Sequence, residues 1–272
     1  MLINLYFYTP ELWCIIICMA NKPKALSDLT KKTSKVKEGS NLNFSLNIQH
    51  RDDLTDVQKK IIEAALDKEV KCVIIDGVPG TGKSWTTILS SLMLLDMHIV
   101  KEIVYLRSLV QAKDGQTGYL KGDLDEKTFY YNEALNQTLS ELIPNNDIKR
   151  LTEQEKIKCY PTSMLRSYNF HNSAVISEES QVMTFDSIFT IATRLSMYSK
   201  LFVIGDSVYQ NDLGKLSGFK RFIEIFGDED SRANGFRYFK LDSSQIVRSP
   251  FVQFVVKKVE QYQERTKESI VS

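Results

Sequence analysis

The sequence predicts an α/β layered fold with a mostly parallel central sheet. Three observations carry this. From about residue 50, short and almost wholly apolar runs alternate with longer amphipathic ones. The apolar runs lack the polar alternation of half-exposed strands, as expected for strands buried on both faces. A glycine-rich turn joins one such run directly to a helix-like segment. Strands connected through helices form parallel sheets with the helices on their faces.

The elements follow in order. "LTDVQKKIIEAAL" has apolar residues at 57, 61, 62 and 65, a helical spacing, with Thr55 or Asp56 as N-cap. "KCVIID" is a buried strand and "KSWTTILSSLMLLDM" the helix after it. "EIVYLR" is the next strand. Residues 127 to 142 read as a helix, which Pro144 and Asn145–Asn146 bring to a break. "KIKCYP", "SAVIS" and "KLFVIGD" are three further strands, and "SIFTIATRLSM" is a helix between the last two. "FRYFKL" is a late strand. "SPFVQFVVKKVEQYQ" closes as a helix with Ser249 at N-cap and Pro250 at N1.

Gly77, Val78, Pro79, Gly80, Thr81, Gly82, Lys83 and Ser84 match G-x-x-x-x-G-K-[ST] at every fixed position, between a buried strand and a helix. The glycines let the backbone wrap phosphates with its N–H groups inward. The helix start offers free amides and a positive dipole end. Lys83 reaches the β- and γ-phosphates, the Ser84 hydroxyl ligates Mg²⁺, and Trp85 completes the nucleotide-binding stretch. No N-K-x-D-like guanine signature follows, which favours ATP over GTP.

Two more motifs fall at strand ends, the edge where open α/β sheets bind ligands. "SAVISEESQ" puts Glu178, Glu179 and Gln181 there; one acid is expected to hold Mg²⁺ and the next to orient or deprotonate water. "KLFVIGDSVYQND" ends in Gly-Asp with Gln210 beyond, an amide placed to sense the γ-phosphate or the water. Asp206 is expected to steady the loop or the metal shell, and Asp212 to be a loop contact.

In this order the three motifs resemble the PhoH-like P-loop ATPases, relatives of the superfamily 1 helicases, from about Gln58 to Tyr262. The resemblance implies a three-layer RecA-like P-loop NTPase domain that binds ATP and Mg²⁺. It places Gln58 where helicase-like proteins read adenine. "VYLRSLV", "TGYLKGDLDEK", "YPTSMLRSYNF" with Arg166, Thr193–Arg194, "LSGF" and "QIVRSPFV" complete the family order. The family's Asp-Glu-Ala-Gln is Glu178-Glu179-Ser180-Gln181 here, so Glu178 is one methylene longer and hydrolysis is expected to be slower. Ser108, Lys121, Ser167 and Gln245 also depart from the family residues. The departures point to a divergent member and prompt a guess of phage origin.

Phosphoryl transfer needs positive charge on the transition state. Beside Lys83 and Mg²⁺, the candidates are Arg248, Arg194, Arg166 and Arg107. By the resemblance Arg248 is the best arginine finger. Arg194 ends a helix and is placed to act on a neighbouring subunit, which requires a homo-oligomeric ring. Three uses of ATP are open: coupling to single-stranded RNA or DNA, a nucleotide-dependent switch in assembly, or phosphotransfer to a small molecule. The last is disfavoured, since no Arg-rich substrate lid is evident. Phe129, Tyr130 and Tyr131 could stack bases, although packing is the commoner use of such rings.

The rest of the chain narrows the setting. Its 272 residues suffice for one sizeable core, and the net charge of +1 gives no global attraction to nucleic acid or membrane. Residues 20 to 42 hold six lysines and two acids and read as a solvated tail. The apolar opening "MLINLYFYTPELWCIIIC" contains Pro10 and Glu11, lacks a basic start and is too short to span a bilayer; translation is expected to begin at Met19. Cys72 and Cys159 read as buried thiols, and Cys14 and Cys18 lack the partners of a zinc site. The expectation is a cytoplasmic protein with a flexible segment 1–49, an ATPase domain 50–262 and a tail 263–272.

Overall fold

The computed structural model describes residues 45–49, 51–108, 124–162, 168–209 and 217–271, as backbone alone at 124–132 and 266–271. Leu46–Gln49 and Leu54–Ser272 form one compact unit, and the described residues 45 and 51–53 belong to a second, smaller one. The readings for Met19, Cys14, Cys18 and the lysine tail lie outside the described residues.

The larger unit is built on six parallel strands: β1 (Cys72–Gly77), β2 (Glu102–Arg107), β3 (Ile157–Pro161), β4 (Ser173–Glu178), β5 (Lys200–Gly205) and β6 (Phe236–Leu241). Their spatial order is β3-β2-β4-β5-β1-β6. The strands β1, β4 and β5 are buried along their whole length, as their unbroken apolar runs require.

Helix α1 (Asp56–Leu66) begins at Thr55, whose side chain forms a reciprocal capping box with Gln58. Helix α2 (Lys83–Asp96) follows the glycine-rich turn. Helices α3 (Leu124–Leu142) and α4 (Asn145–Glu153) precede β3. Helix α3 ends at Leu142 and the chain breaks at Pro144, as read from sequence, but Asn145 and Asn146 already begin α4, with the extended Pro144 at its N-cap. Helix α5 (Phe185–Thr193) joins β4 to β5, and α6 (Gly218–Phe226) and α7 (Glu229–Ala233) lead to β6. The alternation pattern gave no sign of α6 or α7. Helix α8 (Pro250–Val271) closes the chain, with the Ser249 hydroxyl accepting from Val252 N at 3.2 Å. It runs through most of the segment 263–272, read from sequence as a tail.

The helices cover both faces of the sheet. On one face Ile74, Val104, Val175 and Val203 meet Ile188 and Ile191 of α5 and Phe219 and Phe222 of α6 in a single apolar cluster. On the other, α1 and α2 pack together and α2 lies over β2, β4 and β5. The result is a three-layer α/β fold whose sheet is wholly parallel. Pairing Asp76 with Gly205 and Arg107 with Glu178 aligns the carboxyl ends of β1, β5, β2 and β4 along one edge.

Candidate nucleotide site

The loop after β1 turns back over its own strand end. Gly80 and Gly82 have φ of 84° and 78°, a left-handed backbone that a side chain would strain. Thr81 Oγ1 donates to Val78 O at 2.9 Å and fixes the turn. The chain ahead of α8 clamps it from outside, since Val247 N and Arg248 N both donate to Gly80 O, at 3.0 and 3.2 Å. Lys83 Nζ lies inside the loop and donates to Gly77 O at 2.7 Å and Val78 O at 3.1 Å. Burial pushes the Lys83 ammonium below its ordinary pKa, against the pull of Asp206, Glu178, Glu179 and Asp76.

From the first turn of α2, Ser84 Oγ donates to Glu178 Oε1 at 2.7 Å. This contact joins the loop to the acidic strand end across β5, which lies between β1 and β4. Burial, with Glu179 beside it, drives the Glu178 carboxyl up to about 7, against the Ser84 bond and the charges of Arg107 and Lys83. Its other oxygen, Oε2, is buried without a hydrogen-bond partner, and so is Asp206 Oδ2. A hydroxyl and hard carboxylate oxygens with unused lone pairs fit Mg²⁺, which takes few protein ligands and completes its shell with water and phosphate.

Glu179 leaves the strand in a left-handed conformation, φ 52° and ψ 42°. Such a backbone costs a non-glycine residue about 1 kcal/mol or more, and residues held this way cluster at functional sites. Gln181 Nε2 donates to its carboxylate, and Gln181 Oε1 accepts from Asp206 N at 3.1 Å. Asp206 is itself buried, and its Oδ1 accepts from Val208 N and Tyr209 N at 2.8 and 2.9 Å. Asp206 therefore holds the loop after β5, one of the two roles read for it.

Gln58, Gly77, Val78, Pro79, Gly80, Thr81, Gly82, Lys83, Ser84 and Trp85 come together around one loop. Gln58 is buried, and its amide nitrogen lies 2.7 Å from where a Cβ on Gly82 would stand. Trp85 is half-buried on the first turn of α2. Arg107 faces Glu178 in register, and Arg248 is exposed beside Gly80. Arg194 is not brought to this edge. It is the C-cap of α5, and its guanidinium donates to Tyr168 O at 3.3 Å, by the amino-terminal end of β4. Gln210, Arg166, Asp212, Lys121 and the side chains of Phe129, Tyr130 and Tyr131 lie outside the described residues.

One residue escaped the sequence reading. Asp76, buried at the end of β1, accepts from Ser207 N at 2.9 Å, Ser207 Oγ at 2.7 Å and Tyr238 OH at 3.3 Å. It ties β1 to the loop after β5 and to β6. Its signal was a charge at the end of an otherwise apolar buried strand, directly before Gly77.

A family model described as PhoH-like protein matches residues 52–260. The chain belongs to the PhoH-like family. A PhoH-like protein of Bacillus subtilis (strain 168) is 29% identical over 180 residues, 66% of this chain and 55% of that protein. One of Synechocystis sp. is 30% identical over 205 residues, 75% of this chain and 60% of that protein. Protein PhoH2 of Mycolicibacterium smegmatis is 26% identical over 170 residues, 61% of this chain and 39% of that protein. The chain spans between 39% and 60% of the length of these three relatives.

Membership of the PhoH-like family and the loop geometry together mark a nucleotide-binding P-loop protein. Two departures from the family pattern have local reasons. Ser180 is buried, and its hydroxyl bonds Ser177 Oγ and Ser177 O, both at 2.9 Å. Gln245 Oε1 accepts from Asp242 N at 3.0 Å in a capping box, which an amide closes as well as an acid does. Among the described residues no helix is long and apolar enough to cross a membrane.

Proposed function

We propose that the protein is a Mg²⁺-dependent ATP hydrolase whose turnover is coupled to single-stranded RNA or DNA. The observation that carries the hydrolytic reading is the 2.7 Å bond from Ser84 to Glu178, with Glu179 next in the chain and turned out of the strand. The loop amides and Lys83 hold the β- and γ-phosphates. Ser84 and Glu178 hold Mg²⁺, which supplies Lewis-acid charge at the phosphate oxygens when bound. Glu179, with Gln210, orients a water in line with the γ-phosphorus and takes its proton. The water oxygen bonds to phosphorus as the bond to the bridging oxygen breaks, giving ADP and inorganic phosphate. Arg248, beside Gly80, is the arginine finger within the chain. Arg194, on the opposite edge, serves a neighbour's site in a homo-oligomeric ring. Gln58 reads the adenine.

We assign the ATPase domain to residues 50–262 and place the protein in the cytoplasm, where thiols such as Cys72 and Cys159 stay free. The nucleic-acid coupling rests on the helicase-like order of the motifs. The 66% of the chain matched by the Bacillus relative covers only 55% of that protein, so its remaining functions are not carried over. A second reading is a nucleotide-dependent switch. It is favoured by Glu178, which stands where the family pattern has an aspartate, so that nucleotide binding is the firmer expectation than fast turnover.

Phosphate release decides between them. Glu179→Gln is expected to lower kcat at least about 100-fold, in the range of a lost general base, with ATP affinity nearly unchanged. Lys83→Ala is expected to lose nucleotide binding itself. Hydrolysis that survives in Glu179→Gln removes the assigned base. Stimulation of the wild-type rate by a single-stranded oligonucleotide supports coupling, and a rate indifferent to both RNA and DNA favours the switch.

A further inference from the structure

Glu179 and the root of the loop after β5 share one side chain, Gln181. Its amide nitrogen donates to Glu179 Oε2 and its amide oxygen accepts from Asp206 N at 3.1 Å. Gln181 is 2% exposed, so water does not compete for either bond. The space around the amide oxygen is closed. A Cβ added to Gly205 would stand 2.8 Å from Gln181 Oε1 and 2.9 Å from the Phe219 ring. The amide therefore keeps its orientation, with the nitrogen toward Glu179. The carboxylate it holds sits on a left-handed residue that heads a short 3-10 turn, its carbonyl accepting from Val182 N at 3.1 Å. The bonded pair is local, two residues apart, while the other end of the amide reaches the neighbouring strand.

We propose that Gln181 is the positioning residue for Glu179, aiming its carboxylate at the water and linking that aim to the loop that begins at Asp206. The inference rests on the reading of Glu179 as the base. The geometry gives the amide two separable tasks. The N–H holds the carboxylate, and the C=O registers the position of Asp206 N. A shift of Asp206 N is expected to shift the amide and with it the carboxylate. A displacement of about 1 Å in a reacting group costs on the order of 100-fold in rate.

The test uses the full chain and steady-state ATP hydrolysis with Mg²⁺. Gln181→Glu keeps an acceptor for Asp206 N but puts an oxygen against Glu179. Gln181→Ala removes both bonds. Both are expected to lower kcat between 10- and 100-fold, within the cost of misplacing a reacting group, with KM and the affinity for a fluorescent ADP analogue within about threefold. A merely structural role would weaken nucleotide binding and melting temperature along with the rate. In a Glu179→Gln background, adding Gln181→Ala is expected to change the residual rate less than twofold, because the aimed group is already gone. A folded, nucleotide-binding Gln181→Glu protein with wild-type kcat overturns the inference. So does an additive loss in the double variant. Wild-type hydrolysis in Glu179→Gln alone would overturn the base assignment instead, so the two failures are distinguishable.

Discussion

Lys200 is a buried cation at the start of β5, on the edge opposite the nucleotide loop. Its ammonium donates to Asp67 O and, at 2.8 Å, to Val70 O, two carbonyls of the turn between α1 and β1. Burial, with Lys71 adding a like charge, brings its pKa from 10.5 down to about 8. The folded state thus releases this proton before the unfolded state does. Below pH 8 both states are mostly protonated and the group adds little pH dependence. Between pH 8 and 10 the unfolded chain binds more protons, so stability rises with pH, by about 2 kcal/mol from this group. Urea unfolding of the wild type and Lys200→Met is expected to diverge by about that amount over this window, the wild type rising relative to the variant. Parallel curves would mean that Lys200 keeps an ordinary pKa in the fold.

At the scale of elements, one carboxylate adds a side-chain tie to the edge strand β3, beside its backbone ladder with β2. Glu102, at the start of β2, accepts from Lys158 Nζ on β3 at 2.8 Å and from Ser173 Oγ on β4 at 2.9 Å. The ion pair is largely shielded, with side chains 23% and 20% exposed, and Glu102 raises the pKa of Lys158. Glu102→Ala is expected to cost about 1 to 2 kcal/mol in urea unfolding, since one change removes a charge-assisted pair and one of the two acceptors of the Ser173 hydroxyl, leaving it His171 O at 3.1 Å. Amide exchange should quicken first along β3, which pairs with β2 alone. A loss under about 0.5 kcal/mol, typical of an exposed pair, would show that solvent competes for the site. The same strands show what a linear reading captures. Buried parallel strands are continuous apolar runs, so "KCVIID", "SAVIS" and "KLFVIG" announce themselves. Helix α4 did not, because a proline that ends one helix can equally begin the next. Helix α6 hid behind Gly218, whose place is set by a distant packing demand: a Cβ there would collide with the backbone of Phe185. The candidate site divides the same way. The loop from Gly77 to Ser84 and the pair Glu178–Glu179 are local patterns. The ties of Asp76 to Ser207 and Tyr238 span 131 and 162 residues, and no local period encodes them.

For the whole molecule, the two proposed arginines make opposite demands. Arg248 adjoins Gly80 and needs no partner, whereas Arg194 lies at the far edge of the same sheet. A rigid three-layer domain cannot bring that edge round to its own loop, so Arg194 can reach a γ-phosphate only on another copy. A contact joining opposite edges is head-to-tail, and head-to-tail contacts close into rings when the rotation permits. Exposed apolar side chains stand near both ends of such a contact: Met197 and Tyr198 just past Arg194, and Phe251 and Phe254 just past Arg248. Two inactive variants then test the arrangement. Lys83→Ala carries the arginine but no working loop, and Arg194→Ala carries the loop but no arginine. Mixed in equal amounts with ATP and Mg²⁺, they are expected to recover about a quarter of the wild-type rate, since random head-to-tail neighbours pair an intact loop with an intact arginine at about that frequency. Mass in solution should exceed the 31.2 kDa of one chain under the same conditions. A monomer that hydrolyses ATP at full rate would leave Arg194 with only the Tyr168 carbonyl it caps, and Arg248 as the sole finger.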